Sequence, residues 1–311
     1  MEEKRRTPNY WVVIIVTLLV LGFLSVMVAG FIGLFFVGEE PLLSGNVAVI
    51  DVQGVITSTD EGFLSGPIAS STDIVKLIEK AAKDDSVKAI LFMVNSPGGS
   101  PVASDEIGTA IKAANKTTVT VIRDVGASGG YWVASATDYI IANKVSITGS
   151  IGVRGSYLEF PGLLQEYNIT YRRLVAGKYK DMGSPFREMP PEEQRIFQAS
   201  LDEMHETFIQ EVAVNRNMSY DTVKELATGA FYTGMQAKRL GLVDELGGKA
   251  EARRYLEARL NSTVELKPYK KPKSFFNILT GGADERMYSL GRGIGDSLMH
   301  ADAEDTLTIQ V

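Results

Sequence analysis

Thr118-Val119-Thr120-Val121-Ile122, followed after three residues by Gly126-Ala127-Ser128-Gly129-Gly130, is the stretch on which the reading of this chain turns. A short apolar run rich in β-branched residues reads as a buried strand. A serine set between glycines directly after such a strand is how a strand-to-helix turn exposes a hydroxyl and bares backbone N–H groups beside it. Ser128 is therefore the candidate nucleophile, and Gly129 a candidate donor to an oxyanion.

A neutral serine hydroxyl is a poor nucleophile and needs a base. The G-x-S-x-G pattern around Ser128 would ask for a downstream histidine, but the chain has two histidines in all. His205 falls inside an amphipathic helical pattern and reads as a surface or core residue; His300 lies in a weakly patterned tail. Absence of cysteine removes thiolate nucleophiles, disulfides and cysteine zinc sites. The remaining solution is a lysine, which can serve once burial disfavours its charged form and lowers its pKa from about 10.4. Lys180, in Ala176-Gly177-Lys178-Tyr179-Lys180-Asp181-Met182-Gly183-Ser184-Pro185, is the leading candidate. Lys178 would share its face if the segment is extended, and Lys144 competes; taken singly, each reads as a solvated surface lysine.

On either side of that stretch, and including it, strands are expected at Val47–Val52, Val87–Val94, Thr118–Ile122 and Tyr139–Ala142, with a further one near Val153 after the Gly149-Ser150-Ile151-Gly152 turn. Helices are expected from a cap at Thr72 or Asp73 to Lys83, over Val102–Ala114, from Ser128 to about Ala136, and over Pro191–Arg216, Tyr220–Gly229 and Gly234–Leu240. Strands alternating with helices predict an α/β fold with a largely parallel sheet. Asn95-Ser96-Pro97-Gly98-Gly99-Ser100 closes the second strand just before a helix start, where free N–H groups of Gly98 and Gly99 suit an anion. In acyl transfer that anion is the tetrahedral oxyanion, with Gly129 as a second donor. Neither glycine-rich loop fits a phosphate-binding pattern. No cofactor and no metal site is expected. The net charge of -6 and the lack of a basic run argue against a nucleic-acid partner.

From Trp11 to Val37 no residue is charged, long enough for a helix to cross a bilayer. Lys4, Arg5 and Arg6 precede this run and Glu39 and Glu40 follow it. The positive-inside rule then predicts a single-pass protein of the cell membrane, its N-terminus cytoplasmic and the rest extracytoplasmic. The run is about twice the length of a cleaved signal's apolar region and ends in no A-x-A-like site, so an uncleaved anchor is expected. The expected organisation is residues 1–10 cytoplasmic, 11–37 transmembrane, 38–46 linker, 47–267 catalytic domain and 268–311 tail. Four N-x-[ST] sequons begin at Asn115, Asn168, Asn217 and Asn261 and are compatible with an exterior domain.

Four segments in this order resemble the signal peptide peptidase A family (peptidase family S49), membrane serine proteases of the ClpP/crotonase fold. They are Asn95-Ser96-Pro97-Gly98-Gly99, Ala127-Ser128-Gly129-Gly130-Tyr131, Thr148-Gly149-Ser150-Ile151-Gly152-Val153 and Lys180-Asp181-Met182-Gly183-Ser184-Pro185; Gly241-Leu242-Val243-Asp244 also fits. The resemblance covers about residues 47–260 and extends to the N-terminal anchor, as in the family's short form. It implies a ClpP/crotonase-like α/β fold of stacked ββα units, preceded by one transmembrane helix. It implies Ser128 as nucleophile, Lys180 as general base, Ser150 as orienter of that lysine, and Gly98 or Gly99 with Gly129 as the oxyanion hole. It also implies a ring- or dome-like homo-oligomer, such as an octamer, whose sites combine serine and lysine from neighbouring protomers. The implied substrates are apolar signal peptides left in the membrane after secretion.

Three other readings share parts of this pattern. A stomatin-associated membrane protease uses the same serine–lysine logic, but the Lys180 motif and its spacing favour the signal-peptide group. A crotonase-type acyl-CoA enzyme would hold a thioester enolate on the same backbone donors, which an exterior location disfavours because CoA is intracellular. A non-catalytic membrane scaffold would keep the fold and assemble through the Pro191–Arg216 helix.

Overall fold

The computed structural model describes residues 10–36, 44–59 and 67–270. Within it the apolar N-terminal run is one continuous helix, α1 (Tyr10–Phe36). Its 27 residues give about 40 Å of length at the helical rise, enough to cross a membrane. No polar stripe runs along it, as expected of a helix that meets hydrocarbon on all sides. It belongs to a unit separate from Ser44–Lys271. The expected N-terminal segment, most of the linker and the tail from residue 271, including His300, lie outside the described residues.

The second unit runs β1 (Val47–Gln53), β2 (Val55–Thr57), β3 (Ile68–Ser70), α2 (Ser71–Lys83), β4 (Ala89–Ser96), α3 (Pro101–Ala113), β5 (Thr117–Ala127), α4 (Gly129–Ser135), β6 (Tyr139–Ala142) and β7 (Ile147–Gly149). It continues through α5 (Pro161–Glu166), α6 (Pro191–Arg216), α7 (Tyr220–Leu226), β8 (Phe231–Thr233), α8 (Gly234–Arg239), β9 (Glu245–Leu246), α9 (Lys249–Leu260) and β10 (Leu266–Tyr269). The main sheet has the order β10-β1-β4-β5-β6-β9, with β7 on the far end of β5 and β8 beside it. Every pairing is parallel except β7 with β8.

Helices cover both faces of the sheet, which is why its central strands read as apolar runs with little alternation. On one face Ile50, Ile90 and Phe92 pack with Ile74 and Ile78 of α2 and Ile107 of α3. On the other, Val47, Leu91 and Val119 pack against Ala252 and Leu256 of α9. A third cluster joins Tyr131 and Trp132 of α4 to Phe208 and Val212 of α6. Trp132 and Phe208 stack with ring centroids 4.6 Å apart.

Several boundaries differ from expectation for identifiable reasons. Ser70, extended at the end of β3, caps α2 by accepting from the Asp73 N–H, so the helix begins earlier than a Thr72 or Asp73 cap would allow. β5 runs five residues past Ile122 because Val125–Ala127 pair with β7 after Val119–Ile122 have paired with β6. Arg123 and Asp124, exposed at that change of partner, break the apolar run. The strand expected near Val153 lies before the glycine turn, as β7, and the chain after it has no regular pairing. β10 spans Leu266–Tyr269, so a catalytic domain ending at 267 would cut through a paired strand. Tyr269 anchors that strand, donating its hydroxyl to Asp84 at 2.6 Å.

Candidate active site

Ser128 stands between the end of β5 and the start of α4 at φ 53°, ψ -125°. That conformation is strained for a residue with a side chain. Three hydrogen bonds hold it: its N–H donates to the Gly149 carbonyl at 2.8 Å, and its carbonyl accepts from Tyr131 and Trp132 at 2.8 and 2.9 Å. Among the described residues six non-glycine residues have positive φ. Four are Asn115, Asn168, Asn217 and Asn261, each just past a helix, where asparagine ends a helix in the left-handed conformation. The other two are Ser128 and Ser150.

Gly98 has φ 97°, and a Cβ there would lie 2.6 Å from the Gly129 nitrogen and 2.8 Å from the Ser128 Cβ. Only glycine lets the β4–α3 loop approach the serine turn this closely. The Gly98 N–H is occupied, donating to Ser96 Oγ at 3.1 Å. The N–H groups of Gly99 and Gly129 have no partner among the described residues. They are near neighbours, since a Cβ on Gly129 would sit 3.2 Å from the Gly99 nitrogen. Of the expected trio, two donors remain free to meet an oxyanion and the third fixes the loop.

These groups line a cleft of about 790 Å3. Ser128, Ser150, Gly98, Gly99 and Gly129 are in its wall, with Val55, Trp132, Val153 and Phe208 as apolar lining. Ser150 donates its hydroxyl to the Gly229 carbonyl at 3.2 Å and its N–H to Ala230 at 2.9 Å. That hydroxyl retains lone pairs for a further donor.

Lys180 is not in the wall of this cleft. It lies exposed in a series of turns between α5 and α6, so the face shared with Lys178 in an extended segment does not form. The turns close through Lys180 N–H to Gly177 and Met182 N–H to Tyr179. Lys178 instead pairs with Glu192 at 2.7 Å. Lys144 is exposed between β6 and β7 and is also outside the cleft. Asp181 accepts two hydrogen bonds from Arg173 at 2.7 Å and two from Arg187 at 3.2 Å. Those guanidiniums, Arg173 foremost, hold its carboxyl well below the usual carboxylate range.

His205 is in the cleft wall, and its Nε2 is buried with no hydrogen-bond partner among the described residues. The helical pattern around His205 predicts a surface or core residue, whereas the fold puts it beside the serine turn. The available signal was its spacing with Leu201, Phe208 and Val212, one face of α6 that wraps onto the site. Arg154 also reaches the cleft, from an irregular segment with no pattern to find it by. Among the described residues no three His, Asp or Glu side chains converge as a metal site would.

The model of Peptidase family S49 matches residues 110–263, a span holding Ser128, Ser150 and Lys180. A Methanocaldococcus jannaschii protein named as a protease is 38% identical over 229 residues, covering 72% of each chain. A Synechocystis protein, also named as a protease, is 37% identical over 241 residues, covering 75% of this chain and 86% of its own. A protein from Enterococcus faecium named as a signal peptide peptidase SppA is 35% identical over 218 residues, covering 69% of this chain and 63% of its own. The chain belongs to peptidase family S49: it is a protease built on the α/β, ClpP-like fold, with one N-terminal helix apolar enough to span a membrane.

Proposed function

We propose that this protein is a membrane-anchored serine endopeptidase in which Ser128 is the nucleophile and Lys180 of a neighbouring copy is the general base. The observation that carries the reading is the strained Ser128 turn beside two backbone donors, Gly99 and Gly129, that have no partner among the described residues, in a cleft lined by apolar and polar groups. In the reaction the lysine amine takes the Ser128 proton as Oγ bonds to the peptide carbonyl carbon. The resulting oxyanion accepts from the Gly99 and Gly129 N–H groups, worth about 2.7–4 kcal/mol of barrier lowering per donor. The C–N bond then breaks, the lysine ammonium passes its proton to the leaving amine, and an acyl ester remains on Ser128. Water, deprotonated by the same amine, hydrolyses that ester.

The exposed position of Lys180 supports a shared site. So does the exposed apolar character of the segment leading into its turns, where Leu158 is 70%, Tyr167 68% and Leu174 94% exposed. Apolar exposure of that extent favours contact with another surface, and a second copy in a closed ring would bring Lys180 to a neighbour's cleft. With the N-terminus cytoplasmic, the catalytic unit would face the exterior and meet apolar segments left in the bilayer, such as remnant signal peptides. Cleavage of an apolar peptide by the membrane-embedded protein is the test. Ser128→Ala and Lys180→Ala should each abolish turnover, and full activity of Lys180→Ala would discard the dyad.

His205 favours a second reading, in which base and nucleophile belong to one chain. No hydrogen bond joins its buried Nε2 to Ser128, so we rank it below the lysine. Loss of turnover in His205→Ala with Lys180→Ala unaffected would reverse that order.

A further inference from the structure

Three acidic residues that follow Lys180 in sequence, Asp181, Glu192 and Glu193, are occupied by other cations. Asp181, next to it, takes four hydrogen bonds from Arg173 and Arg187, which fills the roughly four acceptor sites of a carboxylate. Glu193, buried in the first turn of α6, takes both of its bonds from the same Arg187 guanidinium at 2.9 Å. Glu192, one residue earlier, is held by Lys178 and by the Tyr179 hydroxyl. Arg173 also donates to the Lys178 carbonyl at 2.9 Å, and Arg187 to the Asp181 carbonyl at 3.2 Å. Lys178, Tyr179 and Asp181 are thus all tied down, while the Lys180 amine has no partner among the described residues.

We infer that Arg173, Asp181, Arg187 and Glu193 form a positioning clamp for the catalytic lysine, pinning its turn to α6 while keeping the Asp181 and Glu193 carboxylates from pairing with its amine. The inference rests on the reading of Lys180 as general base. Its physical content is a competition. A lysine beside a free carboxylate forms an ion pair that favours the ammonium and makes a poor base. Two fixed guanidinium forks outcompete an ammonium for the same oxygens, because bidentate geometry suits the planar carboxylate better than a point charge does. The charged groups that bear on this competition are Lys178, Tyr179 and Asp181 from the turns, Arg173 before them, Arg187 and Glu188 after them, and Glu192, Glu193 and Arg195 from α6.

The test uses the full-length protein in membranes, with kcat, KM and the pH profile measured on one apolar peptide. Arg187→Gln should lower kcat by about ten- to hundredfold with KM nearly unchanged. The acid limb of its profile should move to higher pH, as Asp181 loses two of its four donors and gains acceptor capacity for the ammonium. Adding Asp181→Asn to Arg187→Gln should return that limb towards the parent position, which repair of a merely structural defect would not do. Where Arg187→Gln does not fold, Arg173→Gln, whose side chain is 39% exposed, serves in its place. Parent-like kcat and limb in a folded variant overturn the clamp while leaving the dyad intact, provided Lys180→Ala is inactive. An active Lys180→Ala overturns both.

Discussion

The backbone N–H of Ser128 donates to the carbonyl of Gly149, so the turn that carries one strained serine is fastened to the turn that carries the other, Ser150. Both turns directly follow the last pair of the β5–β7 ladder, Ala127 with Gly149. Strain at two adjacent, non-glycine positions is retained only where the surrounding hydrogen bonds over-determine it.

Relief of that strain is measurable. Ser128→Gly should be inactive yet more stable than the parent by about 1–3 kcal/mol, since glycine adopts this conformation freely. Ser128→Ala should be inactive without the gain. Urea titration of the two variants side by side checks this, and equal stabilities would show that the turn is not strained.

Sharing of the site between copies predicts complementation. Inactive Ser128→Ala and inactive Lys180→Ala, co-expressed so that they assemble together, should recover a fraction of parent turnover. Mixed assemblies with no activity would place serine and lysine in one chain.

The cleft wall depends on the Trp132–Phe208 stack. Phe208→Ala should cost about 3–5 kcal/mol as a buried aromatic truncation. Because Phe208 also lines the cleft, KM for apolar peptides should rise in preparations that remain folded. Thermal melting and steady-state kinetics separate the two effects.

Asp84 secures the edge strand β10 and carries a defined pH dependence. Hydrogen bonds from Ser86 first, then Tyr269 and Lys267, hold its carboxyl well below the usual carboxylate range. A depressed folded pKa means the contribution is complete above the unfolded value of about 3.9 and fades as pH falls through the folded one. Parent and Asp84→Asn should therefore differ in stability near neutral pH and converge on strong acidification. A gap that persists unchanged in acid would assign the effect to packing.

The four N-x-[ST] asparagines show how one signal can have two sources. Their pattern matches an exterior sequon, yet Asn115, Asn168, Asn217 and Asn261 all terminate helices in the left-handed conformation. Helix termination alone is reason enough for asparagine at each of them.

The features legible in the residues alone are local in origin. The uncharged N-terminal run, the buried parallel strands, the Pro191–Arg216 helix and the glycine-flanked serine turn were all legible, because each is set by periodicity, length or the steric permissiveness of glycine within a few residues. Which of those parts meet depends on the folded arrangement. It engaged the Gly98 N–H and left those of Gly99 and Gly129 free, swung His205 into the cleft through the face of α6, and kept Lys180 out of it. Short strands such as β8 and β9, and the charge clamp beside Lys180, exist only through partners distant in the chain or across a turn. No periodicity announces a side chain whose role depends on what the fold brings alongside it.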